Sequence, residues 1–575
     1  MKLSSVFTGM CLSVAFTLPY TAGIAQSAFS QLDINSISAR INSVGPLWYD
    51  PTGFPGFEAP QGTGLHTLFA TGLWVGGLDM NQNLHFAGEL YRQGGPDYYS
   101  GPISDPVYYA DNQQAYNRVW KITRQAIEDH LDNWMQPGYQ TPAALLDWPA
   151  HGDPARGENY YLAPFFDMDQ NGIYEPTKGD IPDIKGDMAI YSIFNDVGGL
   201  HLSSGGQAVG IEVHQMAYAY DCPDDPELPN TVFVNYKIIN GTTTNYPTVY
   251  FGLFTDGDIG DGSDDYIGSD VERGAFYFYN GDAIDGPGNL VYGGDPPVQA
   301  VVFLAGPKDY IDGMDNVKDV AIPSTSSAFG MNDGIVDNER SGMSHFMYFN
   351  NTTSPLGNPS AAVDYFNLMS GYWKDGSQLS FGGNGHLGSI NSVFAYPGAS
   401  DPLGFGTFGV PQGQWSEIDG ANANGDRRGV GTFGPVSFAP GEAVELDFAF
   451  VYSRVSNQAS PWDAITRMED AVYHVKTKFN QGNLSCRGPV GLATEKPLPT
   501  TLQVFPNPTQ NYLTVSISSF QVPVPYLLRD VTGRIVMQGR LTNPNESLDL
   551  SSLDRGVYHL QVEGLSAPAV PVILN

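Results

Sequence analysis

Apolar residues recur at every second position over much of this chain. In TVFVNYKIIN, residues 231–240, Val232, Val234, Tyr236 and Ile238 share one face. TVYFGLFT and GAFYFYNG follow, with Gly and Asp turns between them. Alternation of this kind predicts strands with one side on a core. Two stretches depart from it. From Ser460, which suits a helix N-cap, and Pro461, which suits the first helical position, Ile465, Met468, Val472, Val475 and Phe479 recur at spacings of three and four. That stripe predicts a helix packed on a sheet and not a cofactor site. Tyr116 to Trp134, containing RVWKITRQAIEDHLDNW, is predicted as a second helix. Residues 487–500, rich in Pro, Gly and Thr, read as a linker. Short alternating runs then return in LQVFPNP, YLTVSIS, YLLRDVTGRIVMQG and SLDLSSLDRGVYHLQVEG, with Thr532-Gly533 and Arg555-Gly556 where hairpin turns belong.

The fold expected is therefore mainly β: a β-sandwich-like main region with a few helices, and a small C-terminal antiparallel β-sandwich of about 75 residues. A chain of 575 residues is too long for one ordinary core. The expected division is a signal peptide at 1–25, an N-terminal β-rich region at 26–240, a second β-rich region at 241–486 ending in the helix, the linker, and a terminal domain at 501–575.

The first residues change the picture of where this fold works. Lys2, an apolar run to about Leu18, and the small residues Gly23 and Ala25 form a secretory signal pattern with cleavage expected after Ala25. An uncleaved anchor would need a longer apolar run, roughly 20 residues. No later stretch is long and apolar enough to span a bilayer, so a mature chain without a transmembrane segment is expected. Net charge is −34, from 61 acids against 27 bases. That field disfavours nucleic acid and anionic lipid and favours cations. Of three cysteines, Cys11 leaves with the signal peptide. Cys222 and Cys486 remain as a pair in an oxidising space, and a disulfide between them is expected. No C-x-x-C is present to suggest a metal site instead.

The acids cluster. FFDMDQNGIYEPTKGDIPDIKGD, residues 165–187, sets Asp167, Asp169 and Asn171 at alternate positions, Gly172 at a sharp turn, Ile173 with a carbonyl to offer, and then Glu175. This is the first half of an EF-hand calcium loop. Lys178 stands where the closing glutamate belongs, so Asp180, Asp183 or Asp187 would have to supply the missing oxygens. An acidic surface turn is the plainer alternative. TDGDIGDGSDDYIGSD holds Asp256, Asp258, Asp261, Asp264, Asp265 and Asp270 with no base before Arg273. Six carboxylates so close repel one another unless cations, water or backbone donors intervene, and calcium in a structural role is expected here too. A third cluster offers Asn332, Asp333, Asp337 and Glu339, but Arg340 adjoins it.

Catalytic motifs are sparse. No G-x-S-x-G, H-E-x-x-H or Walker loop is present. GNGHLG, Gly383 to Gly388, matches G-x-G-x-x-G but is followed by no run long enough for a phosphate-binding helix before Pro397. His214 lies in a strand-like run and reads as a half-buried strand residue. Asp426, Arg427 and Arg428 read as an internal ion pair at least as well as a substrate site. No catalytic residue is assigned.

At the C-terminus VFPNPTQNYLTV, LRDVTGRIV and LDLSSLDRGVYHLQVE occur in order. Together, from Leu502 to about Glu563, they resemble the type A C-terminal sorting domain of the type IX secretion system. Pro506, Asn507, Pro508, Gly533, Arg534, Gly556 and Tyr558 carry the motifs. The resemblance implies export through the type IX translocon, handling by a sortase-like peptidase that can attach cargo to anionic lipopolysaccharide, and a secreted or outer-surface location. Residues from Thr231 to Phe479 are similar to large extracellular proteins carrying the same domain, which implies location and architecture but no reaction. The resulting expectation is a secreted or cell-surface, non-catalytic structural or adhesion protein stabilised by calcium, with an extracellular glycan as a further partner. Its rivals are a polysaccharide-acting hydrolase with paired acids, and a carbohydrate-binding protein stacking sugars on Tyr372, Trp373 and Trp415.

Overall fold

The alternation at 231–240 is a strand, Thr231–Asn240, and Val232, Val234, Tyr236 and Ile238 lie in one aromatic-rich core. The computed structural model describes residues 27–574 except 93, 289, 309–311, 318–327, 459, 488–501, 518–523, 531–533, 542, 544, 554 and 563–569. The expected signal peptide and all of the linker but Arg487 lie outside the described residues, as does Gly533 of the terminal motif. The chain divides into two compact units, at Gly488 and Pro489.

Two antiparallel sheets build the first unit. One runs, in order, through Phe29–Leu32, Ser38–Asn42, Phe57–Glu58, His66–Leu78, Tyr246–Gly257, Arg427–Phe438 and His345–Asn350, with Leu84–Gly88 also paired to His66–Leu78. The other runs through Asp265–Asp270, Ala275–Asn280, Val298–Ala305, Ala443–Ser453, Thr231–Asn240, Ile211–Ala219, Met188–Asn195 and Tyr99–Ser100, with Trp120–Thr123 also paired to Met188–Asn195. The stretches 26–240 and 241–486 each give strands to both sheets, and one core joins them.

Aromatic rings close the space between the sheets. Trp48 meets Phe450 edge to face at 5.0 Å, Phe276 stacks on Phe346 at 4.9 Å, and Phe303 tilts against Phe433 at 4.8 Å. Such pairs add about 0.5–1.5 kcal/mol each beyond the burial itself. Gly431 has no side chain because Phe303 comes across from the other sheet: a Cβ there would lie 2.5 Å from its ring.

The helix Pro461–Asn480 covers the outer face of the second sheet. Ser460 and Asp463 form a reciprocal capping box, and Ile465, Met468, Val472 and Val475 are buried. The helix packs on Val298–Ala305 and Ala443–Ser453, whose buried residues outside the inter-sheet core include Ala300, Val302, Leu304, Ala449 and Val451. Asp225 clamps its far end through Lys478 Nζ at 2.7 Å and His474 Nε2 at 3.1 Å.

The other predicted helix is only half right. Trp120–Thr123 is a strand paired to Met188–Asn195, and the helix is Arg124–Asn133. Trp120 and Ile122 alternate into a core, while the Thr123 hydroxyl accepts the N–H of Ala126, three residues on, at 3.2 Å and caps the helix that starts at Arg124. A period-two run ending in a good N-cap was read as the first turns of a helix.

Cys222 and Cys486 are disulfide-bonded, Cα atoms 5.6 Å apart across 264 residues of sequence. In the terminal unit, sheets of three strands (Leu502–Phe505, Tyr512–Ile517, Asn545–Asp549) and four (Ile535–Leu541, Val524–Asp530, Gly556–Val562, Val570–Leu574) share a core containing Leu513, Val515, Leu528, Leu560 and Val572. This fits a small β-sandwich. No described helix is long and apolar enough to cross a membrane.

The disulfide ties the end of the covering helix to the loop after Ile211–Ala219. Loop-closure entropy puts its contribution at about 5 kcal/mol as an upper figure. The Cys222→Ser/Cys486→Ser chain should unfold at lower denaturant concentration than wild type. An unchanged midpoint would mean that the crosslink constrains nothing the fold does not already hold.

Candidate metal centre

Antiparallel pairing assembles the site. Tyr246–Gly257 pairs with Arg427–Phe438 so that Asp256 stands directly opposite Arg428. Two residues along each chain, on the same face by the period of a strand, come Asp258 and Asp426. D-x-D on one strand and D-x-R on its neighbour therefore converge. Oxygens from Asp256, Asp258 and Asp426 lie within 4.8 Å of one another. Calcium holds its oxygens at 2.3–2.6 Å, so opposite ligands are separated by at most about 5 Å, and the spacing fits.

Two of the three carboxylates are fixed from behind. Tyr91 donates its hydroxyl to Asp256 Oδ2 at 2.6 Å, and Arg428 Nε donates to the Tyr91 oxygen at 2.6 Å. Arg428 lies 3.5 Å from Asp256 Oδ1 and 3.1 Å from Asp426 Oδ2, which also accepts from Asn351 Nδ2 at 3.0 Å. Gly262 leaves room for Asp258, since a Cβ there would sit 2.1 Å from Asp258 Oδ1. Asp256 is 2% exposed, and both Asp256 Oδ1 and Asp426 Oδ1 are buried without a hydrogen-bond partner.

One guanidinium faces three carboxylates. Arg427 does not help, because it turns to Glu417 at 3.0 Å and to the Ala423 carbonyl. Burial, then the Asp258 charge, pushes Asp256 well above the usual carboxylate range against the pull of Arg428. Burial and Asp426 push Asp258 up to about 6, with Arg428 again opposing. The donor set is all oxygen, with excess negative charge and two free buried lone-pair sites. That is the chemistry of a hard divalent cation.

The remaining aspartates of this stretch do other things. Asp265 accepts the Ile259 N–H at 2.9 Å, Asp264 the Gly286 N–H at 3.1 Å, and Asp261 binds Ser263 Oγ at 2.7 Å. Asp270 sits at the other end of the strand from Asp265, roughly 16 Å away, paired to Arg273 at 2.9 Å. Asp285, which lies outside the acidic run, caps the loop by accepting N–H groups from Asp261 and Tyr292. Asp426 was singled out only for its basic neighbours. Only strand register reveals its place beside Asp256.

In the 165–187 stretch, Asp180 is the residue that folds back. It accepts the Met168 N–H at 2.8 Å and the Glu175 N–H at 2.6 Å. Asp167 accepts the Gly172 N–H at 2.6 Å, Asp169 receives Asn171 Nδ2 at 3.1 Å, and Ile173 is exposed at the turn. Glu175 is engaged by Asn171 Nδ2 at 2.9 Å and by the Lys178 ammonium at 2.6 Å. Asp187 instead accepts the Asp221 N–H at 2.8 Å, near Arg124. The loop is organised, and two oxygens of the stretch, Asp167 Oδ1 and Asp187 Oδ1, are buried without a hydrogen bond.

His214 is buried, its Nε2 2.9 Å from Glu212 Oε1 and its Nδ1 2.6 Å from the Tyr191 hydroxyl. Trp373 and Trp415 are core residues at 0% and 2% exposure, leaving Tyr372 alone of the proposed sugar platform at the surface. In the terminal unit Asn507 Oδ1 accepts the Ile573 N–H at 2.8 Å, Tyr558 is buried, Gly556 opens a strand, and Pro506, Pro508 and Arg534 are exposed.

Residues 503–570 match the family described as the secretion system C-terminal sorting domain. No curated protein matches the chain. Among solved structures a polysaccharide lyase is similar over 72% of this chain and 37% of its own length, at 7% identity and a TM-score of 0.18. The chain thus spans little more than a third of that lyase, and a likeness this weak carries no argument about fold or activity. What the terminal match does establish, with the three motifs and the seven-stranded terminal unit, is that this chain is a type IX secretion cargo bearing a C-terminal sorting domain and bound for the outer cell surface or the medium.

Proposed function

We propose that the exported region is a non-catalytic structural or adhesion protein of the cell exterior, stabilised by calcium at Asp256, Asp258 and Asp426. The observation that carries this reading is three converging carboxylates around one guanidinium, with Asp256 Oδ1 and Asp426 Oδ1 buried and not hydrogen-bonded. Leaving such an oxygen dry costs about 1–3 kcal/mol or more, and a bound cation removes that cost. Glycosidase acids are spaced about 5–9.5 Å apart to flank a sugar bond. Carboxylates within 4.8 Å, pinned by Arg428 and Tyr91, suit an ion better. The 167–180 loop is a second calcium candidate through Asp167, Asp169, Asn171, the Ile173 carbonyl, Glu175 and Asp180.

A second reading rests on a different observation. Beside Asp426 opens a cleft of about 420 Å³ lined by Asn350, Asn351, Asn384, Asn422, Asn424 and Thr352. Amides offer donors and acceptors in equal measure, as sugar hydroxyls require. Adhesion would then act through a glycan or lipopolysaccharide carbohydrate held at this cleft, with Asp426 shared between ion and ligand site.

Calcium should raise the melting temperature at pH 7 by several degrees, or on the order of 3 kcal/mol at a hundredfold excess over Kd. Asp256→Asn should abolish most of the gain. The gain should also shrink below pH 6. Asp258, raised to about 6 from an unfolded value near 3.8, contributes stability below pH 4 that is lost as pH rises through 6. The empty fold is therefore weakest where the ion binds best. A melting curve indifferent to chelator at pH 7 would sink the calcium reading.

Two further outcomes are expected. Asn350→Ala and Asn424→Ala chains should bind immobilised extracellular polysaccharide or lipopolysaccharide at least tenfold more weakly in calcium, with unchanged melting; equal binding removes the glycan reading. A chain ending before residue 503 should accumulate inside the outer membrane on fractionation and immunoblotting. Undiminished appearance in the medium would show that the terminal unit is not needed for export.

A further inference from the structure

Two turns, at residues 312–316 and 333–339, clasp one another. Each carries Asp-Gly followed by Asp-Asn: Asp312, Gly313, Asp315 and Asn316 in one, and Asp333, Gly334, Asp337 and Asn338 in the other, with Glu339 next. The contacts are reciprocal. Asp337 Oδ1 accepts the N–H groups of Asp312 and Gly313 at 2.9 and 2.8 Å, and the Asp315 carboxylate accepts those of Asp333 and Gly334 at 3.3 and 2.7 Å. Asn332 N–H also reaches the Asn316 carbonyl at 2.8 Å.

Hydrogen bonds within the clasp explain its shape but not its core. Glu339 is 0% exposed. Its Oε1 accepts the Asn316 N–H at 2.6 Å, which brings the carboxylate to the first turn, while Oε2 is buried with no partner. Asn316 Oδ1 and Asn338 Oδ1 are also buried and unpartnered, although both amide nitrogens are used, on Asp312 Oδ2 at 3.2 Å and Asp333 Oδ2 at 2.9 Å. All three unsatisfied atoms are oxygen acceptors. Arg340, the base whose proximity argued against a cation in the sequence, is turned away. Its guanidinium is held by Asp447 Oδ2 at 2.6 Å and by the carbonyls of Ala305, Gly306 and Glu445. The acids of the two turns and Glu339 are thus left without that charge.

We propose that the clasp is a calcium site in which Glu339 Oε2, Asn316 Oδ1 and Asn338 Oδ1 are ligands, with the aspartates of the two turns completing an all-oxygen shell. It shares no residue with the Asp256 site and stands independently of it. The ion adds to the hydrogen bonds that already join the two turns and satisfies three buried oxygens at once.

Calcium bound per chain, measured by equilibrium dialysis of the full secreted protein, tests this. Glu339→Gln and Asp315→Asn should each bind about one ion fewer than wild type. Asp256→Asn should lose a different ion, so that Asp256→Asn/Glu339→Gln loses both. Glu339 is buried, so its variant is checked by circular dichroism; Asp315 lies nearer the surface and decides the matter if Glu339→Gln fails to fold. If the single clasp variants bind as many ions as wild type, the proposal is overturned, whatever happens at Asp256.

Discussion

A buried carboxylate needs a compensating charge or donor, and a chain with 61 acids against 27 bases cannot supply a base to each. Much of this architecture answers that constraint. Where an arginine is available it is placed by strand register: Arg428 opposite Asp256, Arg427 at Glu417, Arg340 at Asp447. Where none is available, backbone amides serve. Asp196, fully buried, accepts N–H groups from Val209, Gly210 and Ile211 at 2.6, 2.9 and 2.7 Å. A cation is proposed where these devices fall short, with one arginine for Asp256, Asp258 and Asp426, and one backbone amide for the buried Glu339. An exported protein meets calcium without competition from the cytosol's low level, so its folding can rely on it.

The fold depends on the same economy of position. Two sheets meet through aromatic rings, and their edges and outer faces are covered by loops and by one long helix held at its end by Asp225 and the disulfide. Acidic loops project from strand ends, so their geometry is inherited from strands that the aromatic core fixes. Asp258 and Asp426 are close because Tyr246–Gly257 and Arg427–Phe438 are neighbours, 169 residues of chain notwithstanding.

Much of this was legible in the sequence. Period two found the strands at 231–240 and 275–280, and spacings of three and four found the helix after Ser460. Both signals are local. Trp120–Thr123 was misread because a four-residue strand capped by threonine leads directly into a helix. The site was half legible: Asp256 and Asp258 are visible as D-x-D, but Asp426 becomes their partner only through pairing. Asp270 looked like a member of the cluster and is carried away by the rise of its own strand. Asp285 is invisible for the same reason, and of the clasp only Asn332, Asp333, Asp337 and Glu339 show as a cluster, because the bonds that bring Asp312 and Asp315 to them leave no mark on local spacing.

A crystal structure of the exported region grown in calcium tests the central claim most directly. The account predicts anomalous density between Asp256, Asp258 and Asp426, with an oxygen-only shell at about 2.3–2.6 Å. Three carboxylates bridged by water or by Arg428 alone, in crystals with calcium present, would contradict it.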